Sequence, residues 1–229
     1  MSILKTVRTL GVALVVAAPA LAGAQRGADA DAIGTRTGDA SIDAGGNYTA
    51  MFNVGWSVTQ ADGGLLKYTY TLSGFGPPGI SHLIIGLSES CRQSTTCVAD
   101  VRVNGLTTGD WEVADYVPGA MGNSNPGLAG TIYGVKINTP GDAATGSGLM
   151  FSFLSDRVPV YGDFYAKGGN DSYAQNDGLL AMNYASANSA LFIARPDSQL
   201  STVPEPGSVA LVGAGLFALA GAVRRRRSA

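Results

Sequence analysis

Histidine, cysteine and charge are all scarce in this chain. Of its 229 residues one is histidine, two are cysteine and 14% are charged. His82 is the single imidazole and sits in the apolar stretch ISHLII, beside Ser81. Neighbours on a strand point to opposite faces. The two therefore do not form the nucleophile–base pair that covalent catalysis requires, and His82 reads as a packed or hydrogen-bonded strand residue. Two cysteines leave no second pair for a metal site, and the C-x5-C spacing of Cys91 and Cys97 is not thioredoxin-like. No G-x-S-x-G, H-E-x-x-H, P-loop or dinucleotide fingerprint occurs. No segment of the body shows a capped period of 3.6 residues, which argues against a helical fold. These absences point to a non-enzymatic protein.

Charge is also uneven. The whole chain carries −2. Lys5 and Arg8 supply two positive charges, and the tail supplies three more (four arginines less Glu205), so the body between carries −7. An acidic body argues against binding nucleic acid or anionic lipid through charge.

Both ends read as targeting segments. Residues 1–24 have a basic start at Lys5 and Arg8, an apolar run over 10–18 and small residues at Ala22-Gly23-Ala24. That order predicts a secretory signal peptide cut before Gln25, with a second possible cut after Ala22. The alternative, an N-terminal membrane anchor, is disfavoured by the short run and its cleavable end. The other end places Val203-Pro204-Glu205-Pro206 before an uncharged run over 207–223, followed by Arg224, Arg225, Arg226 and Arg227. The prolines stop a helix from extending backwards. As a helix the 17-residue run spans roughly 25 Å at about 1.5 Å per residue, enough to cross a bilayer with local thinning. The arginines hold the C-terminus inside.

This order of triplet, span and basic cluster resembles the PEP-CTERM sorting signal of bacterial envelope proteins. The resemblance covers residues 203–229. It implies signal peptidase and an exosortase-type membrane enzyme as processing partners, with the inner membrane holding the precursor through its tail. The mature form is then expected at the cell surface or outside the cell. An unprocessed tail anchor is the competing reading.

The body is patterned as strands. Tyr48, Ala50, Phe52, Val54, Trp56 and Val58 alternate with more polar residues, and Leu66, Tyr68, Tyr70 and Leu72 repeat the pattern. A period of two marks half-buried strands. Residues 80–87 are a denser apolar run, as in a strand buried on both faces. Residues 98–103 lead into Asn104-Gly105, a hairpin signal. Further strands are expected over 132–137, 149–154, 160–166, 179–184 and 191–195. Many short strands separated by Gly, Pro, Asn and Asp predict an all-β fold, an antiparallel β-sandwich with which a jelly-roll order is compatible. Residues 25–46, rich in Ala, Gly and Asp, read as a flexible lead, and 47–200 as the sandwich domain. The segments ISHLIIGLSESC, TIYGVKINT and FSFLSDRVPVYGDFYAKGG resemble uncharacterised secreted PEP-CTERM proteins. That resemblance implies fold and compartment and carries no activity.

An even cysteine count in an exported chain predicts a Cys91–Cys97 disulfide around the polar loop RQSTT. Asp110, Glu112 and Asp115 cluster beside Trp111 and Tyr116 in GDWEVADY. That mix could line a saccharide site, with exopolysaccharide a compatible partner. Paired carboxylates could also hydrolyse a glycan. Solvated residues on a strand edge explain the segment more simply. Asp163, Asn170, Asp171, Asn176 and Asp177 are oxygen donors of the kind calcium prefers, but their spacing is not an EF-hand and Asn and Asp favour turns by themselves. No cofactor and no metal site are expected, with calcium as the one alternative. Asp156 and Arg157 in SDRVP are expected to fix a corner of the scaffold.

Overall fold

A computed structural model of the protein describes residues 33–37, 41–48, 51–119, 125–140, 148–177, 179 and 190–200. The described part is all-β. Its strands are β1 Ile33–Thr37, β2 Ile42–Gly45, β3 Asn53–Gln60, β4 Leu66–Ser73, β5 Ile80–Gly86, β6 Ala99–Val103 and β7 Leu106–Thr107. They continue with β8 Trp111–Tyr116, β9 Ile132–Asn138, β10 Leu149–Ser155, β11 Arg157–Gly162, β12 Phe164–Gly168, β13 Tyr173–Asn176 and β14 Ile193–Leu200.

All pairings between these strands are antiparallel. One six-stranded sheet has the order β1-β3-β4-β10-β6-β7 and the other β2-β13-β12-β5-β9-β8, while β11 and β14 form a separate ribbon. The alternation seen in the sequence sets what each sheet buries. Val54, Trp56, Tyr68, Tyr70, Leu72, Phe151 and Phe153 from the first sheet share one core with Leu83, Ile85, Val135, Ile137 and Phe164 from the second. Burying a side chain of this size contributes about 1.5–3 kcal/mol. Two core tyrosines also tie the ribbon down: the Tyr68 hydroxyl donates to Arg157 O (2.8 Å) and the Tyr70 hydroxyl to Ala194 O (2.9 Å).

β5 is mostly apolar, with Ser81 exposed and His82 buried, because both of its faces are covered from His82 onward. Leu83 and Ile85 face the main core, whereas Ile84 lies in a second cluster with Tyr165, Tyr116, Leu128, Ile132 and Leu179. The segment over that outer face is held by Gln175, whose side chain accepts from Ala129 N (3.1 Å) and donates to Gly127 O (2.9 Å). At Asn104-Gly105 the expected hairpin forms, with φ of 49° and 80° in the left-handed region.

Two expectations are corrected, and a third falls almost wholly outside the described residues. The lead is not wholly flexible, since β1 and β2 both fall within residues 25–46. Its composition is weakly strand-forming, but tertiary pairing decides: Gly34 lies so close to Trp56 that a Cβ there would sit 2.1 Å from the indole, and Arg36 stacks on the same ring at 4.7 Å. Ile42 of β2 is buried. The single strand expected over 160–166 is two, β11 and β12, which turn at Asp163 into different sheets. In the stretch 179–184, Leu179 is a buried turn residue and the rest lies outside the described residues.

Candidate functional site

The GDWEVADY segment becomes β8, the edge strand of the second sheet. A strand sends successive side chains to opposite faces, so the candidate residues are divided. Glu112 stands opposite Lys136 on the outer face, with its carboxylate 3.3 Å from Nζ. Asp110, two residues earlier, accepts from Asn138 Nδ2 at 2.7 Å. Trp111 and Asp115 face the other way, opposite Ile137 and Tyr133. The structure thus puts Trp111 and Asp115 on one face of β8, four residues apart, and Asp110 and Glu112 on the other.

The inner side is walled by the loop after β5. There Glu89–Gln93 makes a short 3-10 turn, and Cys91 and Cys97 are bonded with their Cα atoms 5.6 Å apart. Both cysteines are buried. Arg92 projects from this turn and organises the rim. Its Nη1 and Nη2 donate to the two Asp115 carboxylate oxygens at 2.9 and 2.6 Å. Its Nε and Nη2 also donate to Glu89. These hydrogen bonds hold the Glu89 and Asp115 carboxyls below the usual range and push the Arg92 guanidinium up. The loop's far side is anchored at the corner after β10. Thr96 Oγ1 donates to the Asp156 carboxylate at 2.6 Å, and Asp156 Oδ1 lies 3.0 Å from Arg157 Nε.

Between this loop and β8–β9 lies a cleft of about 420 Å³, lined among others by Trp111, Val113, Tyr133, Arg92, Ser94 and Thr95. Of these, only Trp111 stood out in the sequence. Arg92 could have been found there too, because it lies inside the disulfide loop.

The remaining candidates sit apart. His82 is buried on the outer face of β5, with Nε2 3.3 Å from Asn125 Oδ1. Burial first, then the nearby Lys136 charge, lowers its pKa to about 4. The neighbouring Ser81 is exposed and donates to Lys167 O. The five oxygen donors are split along the β12–β13 hairpin. Asn170 and Asp171 adopt positive φ (52° and 53°) at its tip. At its other end Asn176 donates to the Asp163 carboxylate and accepts from Phe164 N. Roughly 15 Å of strand separates the two ends, at about 3.3 Å per residue. Asp177 is exposed. Among the described residues no three His, Cys, Asp or Glu side chains group as metal ligands.

Val203, Pro204, Glu205, Pro206 and Arg224, Arg225, Arg226 and Arg227 lie outside the described residues, as do the signal segment and the span over 207–223. Among the described residues no helix is long and apolar enough to cross a membrane. Compared with known families, residues 202–227 match the PEP-CTERM protein-sorting motif. No curated protein and no solved structure matches the chain. The motif marks an exported, membrane-anchored precursor that exosortase sorts toward the cell surface.

Proposed function

We propose that this chain is a cell-surface or matrix-associated cargo protein: a non-enzymatic interaction domain of β-sandwich form, delivered by a removable address. One observation carries the reading. Residues 202–227 match the sorting motif, and among the described residues the last strand, β14, ends at Leu200, two positions before it. In this reading the apolar run over 207–223 parks the chain in the inner membrane, and Arg224, Arg225, Arg226 and Arg227 hold its end inside. Pro204-Glu205-Pro206 then stands just outside, within reach of the processing enzyme. Signal peptidase removes residues 1–24, and the mature body of about 180 residues reaches the surface or the medium.

The non-enzymatic reading is supported by where the ionisable groups lie. Asp110 and Glu112 are engaged by Asn138 and Lys136 on one face, while Asp115 is held by Arg92 on the other. A glycosidase needs one carboxyl kept protonated opposite a second, and Asp115 is shifted the other way. The deciding experiment is the intact mass of the protein from each fraction of its native host. The expected species lacks residues 1–24 and 207–229. A species that keeps 207–229 at steady state replaces this reading with a plain tail anchor.

A further inference from the structure

The cleft beside β8 has one apolar wall and one hydroxyl-bearing wall and, among the described residues, no open cation. Its volume of about 420 Å³ falls in the usual range for small-ligand sites, about 300–1,000 Å³. On one side Trp111 is half-buried and Val113 is 38% exposed. On the other side Ser94 and Thr95 carry hydroxyls on the disulfide loop. Among the described residues the one charged lining residue is Arg92, and its Nε, Nη1 and Nη2 each donate to Glu89 or Asp115. With the body at −7, neither the local nor the overall field favours an anion.

We propose that this cleft binds a neutral saccharide. A sugar ring stacks its C–H face on Trp111 beside Val113, and its hydroxyls meet those of Ser94 and Thr95 across the cleft. The walls are set before the ligand arrives. The Cys91–Cys97 bond, the Arg92 clamp on Asp115 and the Thr96–Asp156 hydrogen bond each fix the loop. Preorganisation of this kind lowers the ordering cost of binding. A purely apolar peptide would leave the hydroxyl wall unsatisfied, and a uronate chain would find no open cation among the described lining residues to offset its charge. The proposal deepens the interaction-domain reading and rests on it.

The test uses the mature protein purified from its native host, titrated with neutral hexose and N-acetylhexosamine oligosaccharides and, in contrast, with oligouronates. The chain has two tryptophans, and Trp56 is buried under Arg36, so ligand-induced fluorescence change reports Trp111. A neutral oligosaccharide should bind and shift this signal. Trp111→Ala, which removes the reporter and is therefore followed by titration calorimetry alongside wild type, should weaken binding at least tenfold. Val113→Gln changes an exposed residue, leaves the core intact and should block the cleft to a similar extent. Glu112→Gln, on the opposite face, should leave affinity unchanged, and thermal midpoints check that each variant is folded. Absence of binding to every neutral oligosaccharide overturns the proposal. So does wild-type affinity in folded Val113→Gln, or a preference for oligouronates. A correctly processed protein that ignores sugars overturns the saccharide site alone, because sorting is judged separately by mass.

Discussion

Arg92 lies over the face of Tyr133, with its guanidinium carbon 3.8 Å from the ring centroid. The stack places a planar cation between the carboxylates of Glu89 and Asp115, and so joins the disulfide loop to the edge of the second sheet. A guanidinium fits this place because it is flat enough to stack and forked enough to reach two carboxylates. The pair is solvent-exposed, so its effect is local order more than global stability.

Replacing Arg92 tests that division. Arg92→Ala should speed amide exchange across residues 88–98 and leave β3 and β4 protected as before. Arg92→Lys should not restore protection, since an ammonium neither stacks as a plane nor binds two carboxylates in a fork. Exchange measured by mass spectrometry decides. Equal acceleration throughout the domain would show that the loop is part of the cooperative core.

The disulfide closes a short loop, which limits its effect on the unfolded chain. On the loop-entropy account a Cys91→Ser/Cys97→Ser double variant should lose about 2 kcal/mol in denaturant unfolding. The exported wild-type protein should show no alkylatable thiol until it is reduced.

His82 makes stability depend on pH above the carboxylate range. Its folded pKa is depressed to about 4, from an ordinary 6.5. The unfolded state therefore takes up the proton first as pH falls. The contribution is fully present above pH 6.5 and is lost progressively between 6.5 and 4. Its upper size is about 3 kcal/mol, at about 1.36 kcal/mol per unit. Unfolding free energies at pH 7, 5.5 and 4 should fall steeply for wild type. They should change much less for His82→Gln, which keeps a donor toward Asn125. A variant with the wild-type slope would assign the dependence to other groups.

Much of the sandwich was legible from alternation alone. Val54, Trp56 and Val58, then Tyr68, Tyr70 and Leu72, face the core as their period of two predicts. So was the double burial of β5, from its dense apolar run. β1 was hidden because its strand character is tertiary: IGTRT has little apolar pattern of its own and acquires order from pairing with β3 and from the Gly34–Trp56 contact. The break at Asp163 was hidden for a similar reason, since both halves of 160–166 are apolar and only the sheets they join differ. At the candidate site Trp111 and Asp115 were visible, but their separation from Glu112 follows from strand parity. Arg92, Tyr133 and Val113 join them only through the fold.

The Gly34–Trp56 contact gives β1 its own test. Gly34→Val would press a side chain into the indole, which cannot move far beneath Arg36. Overpacking of this kind costs about 1–3 kcal/mol. Denaturant unfolding followed by tryptophan emission should show that loss. A neutral outcome would return residues 33–37 to the flexible lead first expected of them.

The tail allows anchoring and recognition to be separated, because the two properties lie in different residues. Arg224, Arg225, Arg226 and Arg227 oppose translocation by their charge, whereas Glu205 lies outside the apolar run and adds nothing to insertion. Neutralising all four arginines should let the tail slip across the membrane and so deprive the processing enzyme of a substrate held in place. The unprocessed protein should then appear in the wrong fraction. Glu205→Ala should leave the precursor in the membrane and slow its cleavage, so that intact precursor accumulates there. The two variants thus fail in different compartments for different physical reasons. A further variant uses the short distance from Leu200 to the motif at residue 202. Inserting a flexible Gly-Ser spacer after Leu200 should not slow processing if the enzyme reads the triplet alone. If the spacer blocks cleavage while Glu205→Ala does not, the enzyme is reading the end of the folded domain, and the triplet is only the stiff connection to it.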